Sequence, residues 1–239
     1  MEKTKGFVLT SIKYGDTSAI LQVYTQDFAL VSLMLRGVYG GKNKRFKSIN
    51  YPFTEIEFSF KPQQKSSLLI PSNLQVSNSF FEMHQHPIKA IMLQFIAEVV
   101  HQCLKQDEKN LDLYDFLEEQ IQIFNNKKEH FAEFHLNLFL NLTSYFGFFP
   151  NQENFDFPYF DLIEGRFTQQ NKSPYLLSAQ ETEDWKNLMQ SEFTEESKNQ
   201  FNKNSRQRLT EILLDYLRIH LDGFREPKSL LILKEILSA

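Results

Sequence analysis

The chain has 239 residues, 41% hydrophobic and 23% charged, with a net charge of −4; this is a globular composition that argues against extensive disorder and is long enough for two cores. A single cysteine, Cys103, excludes an internal disulfide and a cysteine-built zinc cage, in keeping with a reducing compartment. No apolar run approaches the roughly 20 residues that span a bilayer, and the opening MEKTKGFVL enters a strand with no signal-peptide core, so the expectation is a cytoplasmic protein.

Gly6 to Lys13 reads as a first strand through Phe7, Val8, Leu9 and Ile12. In a second run Ala19, Leu21 and Val23 alternate with Ile20, Gln22 and Tyr24, and in a third Ala29, Val31, Leu33 and Leu35 alternate with Leu30, Ser32, Met34 and Arg36. Period two is the pattern of strands with one buried face. Turns fall at Tyr14-Gly15-Asp16 and Thr25-Gln26-Asp27, where Gly or Asp tolerates the backbone geometry. Phe53 to Phe60 forms a fourth strand, with Thr54, Ile56, Phe58 and Phe60 on one face and Glu55, Glu57 and Ser59 on the other. A fifth runs from Ser66 towards Val76 after a turn at Pro62 to Lys65, and Pro71 puts it at an edge or a bulge. Strands without an intervening helix predict a five-stranded β-barrel of the oligonucleotide-binding (OB) type over residues 1–78, with an SH3-like barrel as the alternative.

Between the third and fourth strands lie Arg36, Gly37, Gly40, Gly41, Lys42, Lys44, Arg45 and Lys47, with Tyr39 and Phe46 among them. Cations and aromatic rings on a glycine-rich loop suit a nucleic-acid backbone and its bases. The charge distribution agrees: residues 1 to 80 carry ten Lys or Arg against five Asp or Glu, leaving 16 against 25 for the remainder. Taken alone, the cluster also reads as a solvated loop, and Tyr14, Tyr39 and Phe46 read equally as core residues.

Beyond Ser77 to Ser79 the period becomes helical, giving a second domain over 79–239. Pro87 opens a helix whose apolar face includes Met92, Phe95, Ile96, Val99 and Cys103. Asn110 caps the next, which turns Leu113, Phe116, Leu117, Ile121 and Phe124 inward. The third, from Glu129 to Phe146, is apolar on more than one side and belongs at the centre of a bundle. Residues 148–175 interrupt the helices with prolines and a hairpin turning at Glu164-Gly165. Ser178 and Glu181 match a capping box. Ser191 to Asn204 is polar and reads as a mobile loop. Ser205 opens an amphipathic helix with Leu209, Leu213, Tyr216 and Leu217 on one face, and Leu230 to Leu237 closes the chain. The fold class is α+β in two domains.

Several stretches together resemble the RecO family of bacterial DNA-repair proteins. They are Gly6-Phe7-Val8-Leu9, Tyr14-Gly15-Asp16-Thr17-Ser18, Tyr24-Thr25, Arg36-Gly37-Val38 and Pro52, then Glu98, Lys105 to Leu117, Phe134 to Leu140 leading to Gly147-Phe148-Phe149-Pro150, His220-Leu221 and Lys228-Ser229. The resemblance implies a recombination mediator that is not an enzyme. It implies binding to single- and double-stranded DNA, annealing of strands coated by single-stranded-DNA-binding protein (SSB), and loading of the RecA recombinase with RecR. It also implies a bacterial, nucleoid-associated location, and it strengthens the reading of Arg36, Tyr39, Lys42, Lys44, Arg45, Phe46 and Lys47 as the nucleic-acid site. Many members hold zinc with four cysteines in the insertion after Gly-Phe-x-Pro. Here Asn151 to Ser173 contains neither Cys nor His, so no metal or other cofactor is expected, and Phe155, Phe157, Tyr159, Phe160 and Phe167 are expected to hold the hairpin instead.

The alternative function is a protein-interaction adaptor whose acidic helical half is the working surface. Beside His84 and His86 the one further residue at ligand spacing is Glu82, too few for a metal site; His135 lies on an apolar helical face, and Cys103 has no His or Lys pattern to lower its pKa. No Walker loop, nucleophile elbow or dinucleotide-binding turn is present.

Overall fold

The structure is a computed structural model that describes residues 1–39, 48–61, 68–104, 109–170 and 172–236. In chain order it contains β1 (Glu2–Tyr14), β2 (Ser18–Thr25), β3 (Ala29–Leu35), β4 (Glu55–Phe60), β5 (Leu68–Leu69), β6 (Ser72–Asn78), α1 (Phe81–Gln85), α2 (Pro87–Cys103), α3 (Leu111–Asn126), α4 (Phe134–Tyr145), β7 (Tyr159–Asp161), β8 (Arg166–Thr168), α5 (Ala179–Gln190), α6 (Lys203–His220) and α7 (Leu230–Ile236). The class is α+β. Packing groups the chain into two compact units, Met1–Ile121 with Pro227–Leu233, and Gln122–Glu226 with Lys234–Ala239. Strand gives way to helix between Asn78 and Phe81. Among the described residues no helix is long and apolar enough to cross a membrane.

In the first unit the sheet order is β5-β3-β2-β1-β4-β6. β1 is long because it serves two neighbours: Glu2 to Phe7 pair with β4, and Gly6 to Tyr14 pair with β2, with a register shift between Val8 and Thr10. Gly6 sits where both pairings meet. A Cβ there would lie 2.6 Å from the Tyr24 carbonyl oxygen and 2.8 Å from Val23 Cγ1, so only glycine fits.

The expected five-stranded barrel is corrected to a six-stranded sheet. The expected fifth strand breaks at Ile70–Pro71 into β5, which pairs parallel to β3, and β6, which pairs antiparallel to β4. Proline has no N–H for a ladder, which accounts for the break. The two pieces end at opposite edges of the strand order, yet Leu69 and Ser72 are three residues apart, at most about 11 Å along the backbone. The sheet must therefore roll up. Its inner face carries one cluster that includes Val8, Leu21, Leu33, Ile49, Ile56 and Phe58, with the alternation expected for β2 and β4. On the outer face Phe7 stacks on Tyr114 at 5.2 Å between ring centroids, and Tyr24 donates to the Asn110 carbonyl at 3.0 Å. The Asn110 side chain caps α3, accepting from the Leu113 N–H at 2.9 Å.

Two stretches that carry the family resemblance meet here, 130 positions apart. The Glu98 carboxylate on α2 accepts from the Lys228 and Ser229 backbone N–H groups at 2.8 and 3.1 Å and from the Ser229 hydroxyl at 2.6 Å, fixing the start of α7. These bonds hold the Glu98 carboxyl below its usual range although burial opposes them.

In the second unit α4 is buried almost all round, as a central helix should be, and His135 bonds Thr210 Oγ1 at 2.8 Å. Burial leaves this histidine neutral, its pKa lowered to about 3. The capping box at Ser178 and Glu181 forms. The 191–204 stretch, expected as a mobile loop, is anchored to the helices, and its last two residues, Lys203 and Asn204, already belong to α6. Lys127, a residue 5% exposed, donates through its ammonium to the carbonyls of Thr194, Glu195 and Ser197, and the carboxylate of buried Glu133 accepts from the Gln200 and Phe201 N–H groups. Phe193 and Phe201 are buried beside these anchors.

Candidate nucleic-acid interface

The loop between β3 and β4 enters and leaves the described structure at the same end of the rolled sheet. On the entering side Tyr39 N–H donates to the Thr17 carbonyl at 3.0 Å, tying it to the β1–β2 turn, where Gly15 takes φ +63°. On the leaving side Asn50 accepts from the Ser11 hydroxyl at 2.7 Å and from the Tyr39 hydroxyl at 3.4 Å, and Thr54 Oγ1 donates to the Ser48 carbonyl at 2.7 Å. The loop is therefore anchored at both ends on β1 and its turn.

This end of the sheet exposes what a polyanion with flat bases requires. Arg36 and Lys13 are exposed, Tyr14 is 56% exposed and Tyr39 is 41% exposed. The Lys13 ammonium lies 5.8 Å from the centre of the Tyr39 ring, so cation and ring form one surface. Of the residues expected from the sequence, the structure brings Arg36 and Tyr39 to this surface; Lys42, Lys44, Arg45, Phe46 and Lys47 lie outside the described residues. Lys13 was missed. Its signal was its position at the end of β1, next to Tyr14, where alternation gives out and both faces of the strand are exposed.

The other candidates resolve into structural roles. His86 Nδ1 caps α2 through the Lys89 N–H at 3.4 Å, and His84 stacks on Tyr51 at 4.9 Å, with burial lowering its pKa to about 4. Burial pushes the Cys103 thiol up to about 12, far from a reactive thiolate. Among the described residues no three His, Cys, Asp or Glu side chains are placed to share a metal ion.

The hairpin β7–β8 does not fit the zinc that many family members carry, because its interior is made of rings. Phe167 meets Phe155 and Phe160 edge-on, each at 5.0 Å, and Phe160 continues to Trp185 at 5.5 Å. On α6, Tyr216 donates to the Phe148 carbonyl at 2.8 Å, and His220 bonds the Leu162 carbonyl at 2.8 Å and stacks on Phe148 at 5.1 Å. These contacts position the hairpin on α6.

A rolled sheet with an anchored cationic loop, followed by helices with an inserted hairpin, is the setting in which the first 80 residues match the family model described as "Recombination protein O N terminal". Proteins named "DNA repair protein RecO" match at full length: 34% identity for Flavobacterium johnsoniae and 33% for Flavobacterium psychrophilum, each over 99% of both chains, and 31% for Christiangramia forsetii over 98% of both. The chain belongs to the RecO family of DNA-repair and recombination proteins.

Proposed function

We propose that the chain is a DNA-binding recombination mediator with no catalytic turnover and no metal or cofactor requirement. It binds single- and double-stranded DNA through the end of the rolled sheet, anneals complementary strands coated by SSB, and acts with RecR in loading RecA. The observation that carries this reading is the convergence of Arg36, Lys13, Tyr14 and Tyr39 at the anchored base of a loop whose sequence adds four more cations. Phosphates are held by such cations whatever the net charge of the chain, and bases stack on exposed rings. Membership of a DNA-repair family supports the same partner. The rolled sheet supports an OB-like way of holding a strand.

The adaptor reading has one observation in its favour, the excess of acidic residues after position 80. The two readings part in a strand-annealing assay. Complementary strands pre-coated with SSB should anneal faster when the full-length protein is added, without nucleotide hydrolysis and equally well in a chelator. A protein that leaves annealing at its spontaneous rate and yet binds RecR or SSB would be the adaptor.

A further inference from the structure

Beside the loop lies a groove that the contacts above do not use. Its volume is about 260 Å³, and Met34, Arg36, Val38, Ile70, Pro71 and Leu74 line it. It exists because of the broken strand. β5 pairs with β3 only at Ser32 and Leu33, and the chain then turns through Ile70–Pro71 into β6, so the pairing recorded for β3 on this side stops before Met34. Apart from Arg36 the lining side chains are apolar; Ile70 is 55% exposed, and Arg36 is exposed.

An apolar slot beside a guanidinium fits a planar, apolar-faced group tethered to an anion. A nucleobase on its phosphate is such a group, since bases bury their faces against apolar side chains and arginine pairs with phosphate. The slot is smaller than the roughly 300–1,000 Å³ of sites for drug-sized ligands, a size suited to one base. It is continuous with the surface described above: Arg36 belongs to both, and Tyr39 follows Arg36 by three residues. A paired base is stacked on both sides and must leave its helix to enter such a slot, so the occupant comes from an unpaired strand.

We infer that this groove receives one unpaired base of single-stranded DNA, with Arg36 on the adjoining phosphate. The inference rests on the DNA-binding reading and adds a base-holding subsite to it. The site discriminates unpaired from paired strands and carries little sequence preference, because apolar walls contact any base through its face.

The test uses the full chain and two labelled strands of equal length and charge, oligothymidylate and a strand of abasic sites, with anisotropy as the readout. Ile70→Ser and Met34→Gln each replace an apolar lining side chain with a polar one; melting curves confirm that both variants fold. Each should weaken oligothymidylate binding by roughly fivefold to tenfold and leave the abasic strand within about twofold of wild type, the scale of one lost base contact. The salt slope should stay unchanged, since no phosphate contact is removed. If both folded variants keep wild-type affinity for oligothymidylate, or weaken both strands equally, the groove holds no base, and an apolar peptide becomes its better occupant. If the wild-type chain binds neither strand, the DNA-binding reading fails and the subsite with it. Abasic binding that keeps its salt dependence, with no effect from either variant, sinks the subsite alone.

Discussion

Lys127 offers a quantitative test of the second unit, because one buried lysine holds a loop whose composition reads as mobile. It donates to the carbonyls of Thr194, Glu195 and Ser197 at 2.9, 2.9 and 2.6 Å. Lys127→Met keeps most of the side-chain volume and removes all three bonds. A bond to a charged group contributes about 1.5–3 kcal/mol, but the three acceptor residues are half-exposed or exposed, share one loop, and regain water when it lifts. The terms are therefore not additive, and the expected loss is about 2–4 kcal/mol. At about 2–4 °C per kcal/mol for a chain of this size, the melting temperature should fall by roughly 4–16 °C. Fluorescence of Trp185, the only tryptophan, reports on this unit. A glutamate-specific protease should also cut faster at Glu195 and Glu196. An unchanged melt with unchanged cleavage would show that the loop does not depend on Lys127.

Three further outcomes are expected. Burial lowers the pKa of His84 from 6.5 to about 4, against the raising effect of the Pro52 carbonyl. The unfolded chain therefore takes up a proton that the native state refuses; stability falls as pH drops from about 6.5 to about 4, and His84→Phe should flatten that part of a stability-versus-pH curve. Gly6→Ala sets a methyl group 2.6 Å from the Tyr24 carbonyl oxygen and should cost about 1–3 kcal/mol or more in a denaturant melt, whereas a wild-type midpoint would show that β1 and β2 can part at no cost. Phe160→Ala, at a fully buried ring between Phe167 and Trp185, should cost about 3–5 kcal/mol, while chelator leaves the wild-type melt unmoved; stoichiometric zinc by elemental analysis would contradict the ring-filled hairpin.

Much of the fold was legible because alternation and helical spacing are local signals. β2 and β4 bury the expected residues, Asn110 and Ser178 cap the helices they were expected to cap, and the β7–β8 hairpin turns at Gly165. What the sequence hid depends on distant partners. Pro71 marked a bulge or an edge, but nothing local told that the piece before it would pair parallel to β3 and roll the sheet. The 191–204 stretch is polar, and its anchors, Lys127 and Glu133, lie more than fifty positions earlier. The candidate site was legible as composition, through Arg36 and Tyr39. Lys13 joined it only once the strands placed the end of β1 beside Tyr39.

The central claim is that the anchored loop holds the DNA backbone. It is tested most directly by affinity for single-stranded DNA across a salt series, for the wild-type chain and for one with alanine at Lys42, Lys44, Arg45 and Lys47. Wild-type affinity should fall steeply with salt, and the folded variant should lose up to about 3 log units of slope, at roughly 0.7 for each phosphate contact removed from a single strand. Unrelated sequences should weaken alike, because phosphate contacts carry no base information. A folded variant that keeps wild-type affinity and wild-type slope would contradict the claim and move the interface away from this end of the sheet.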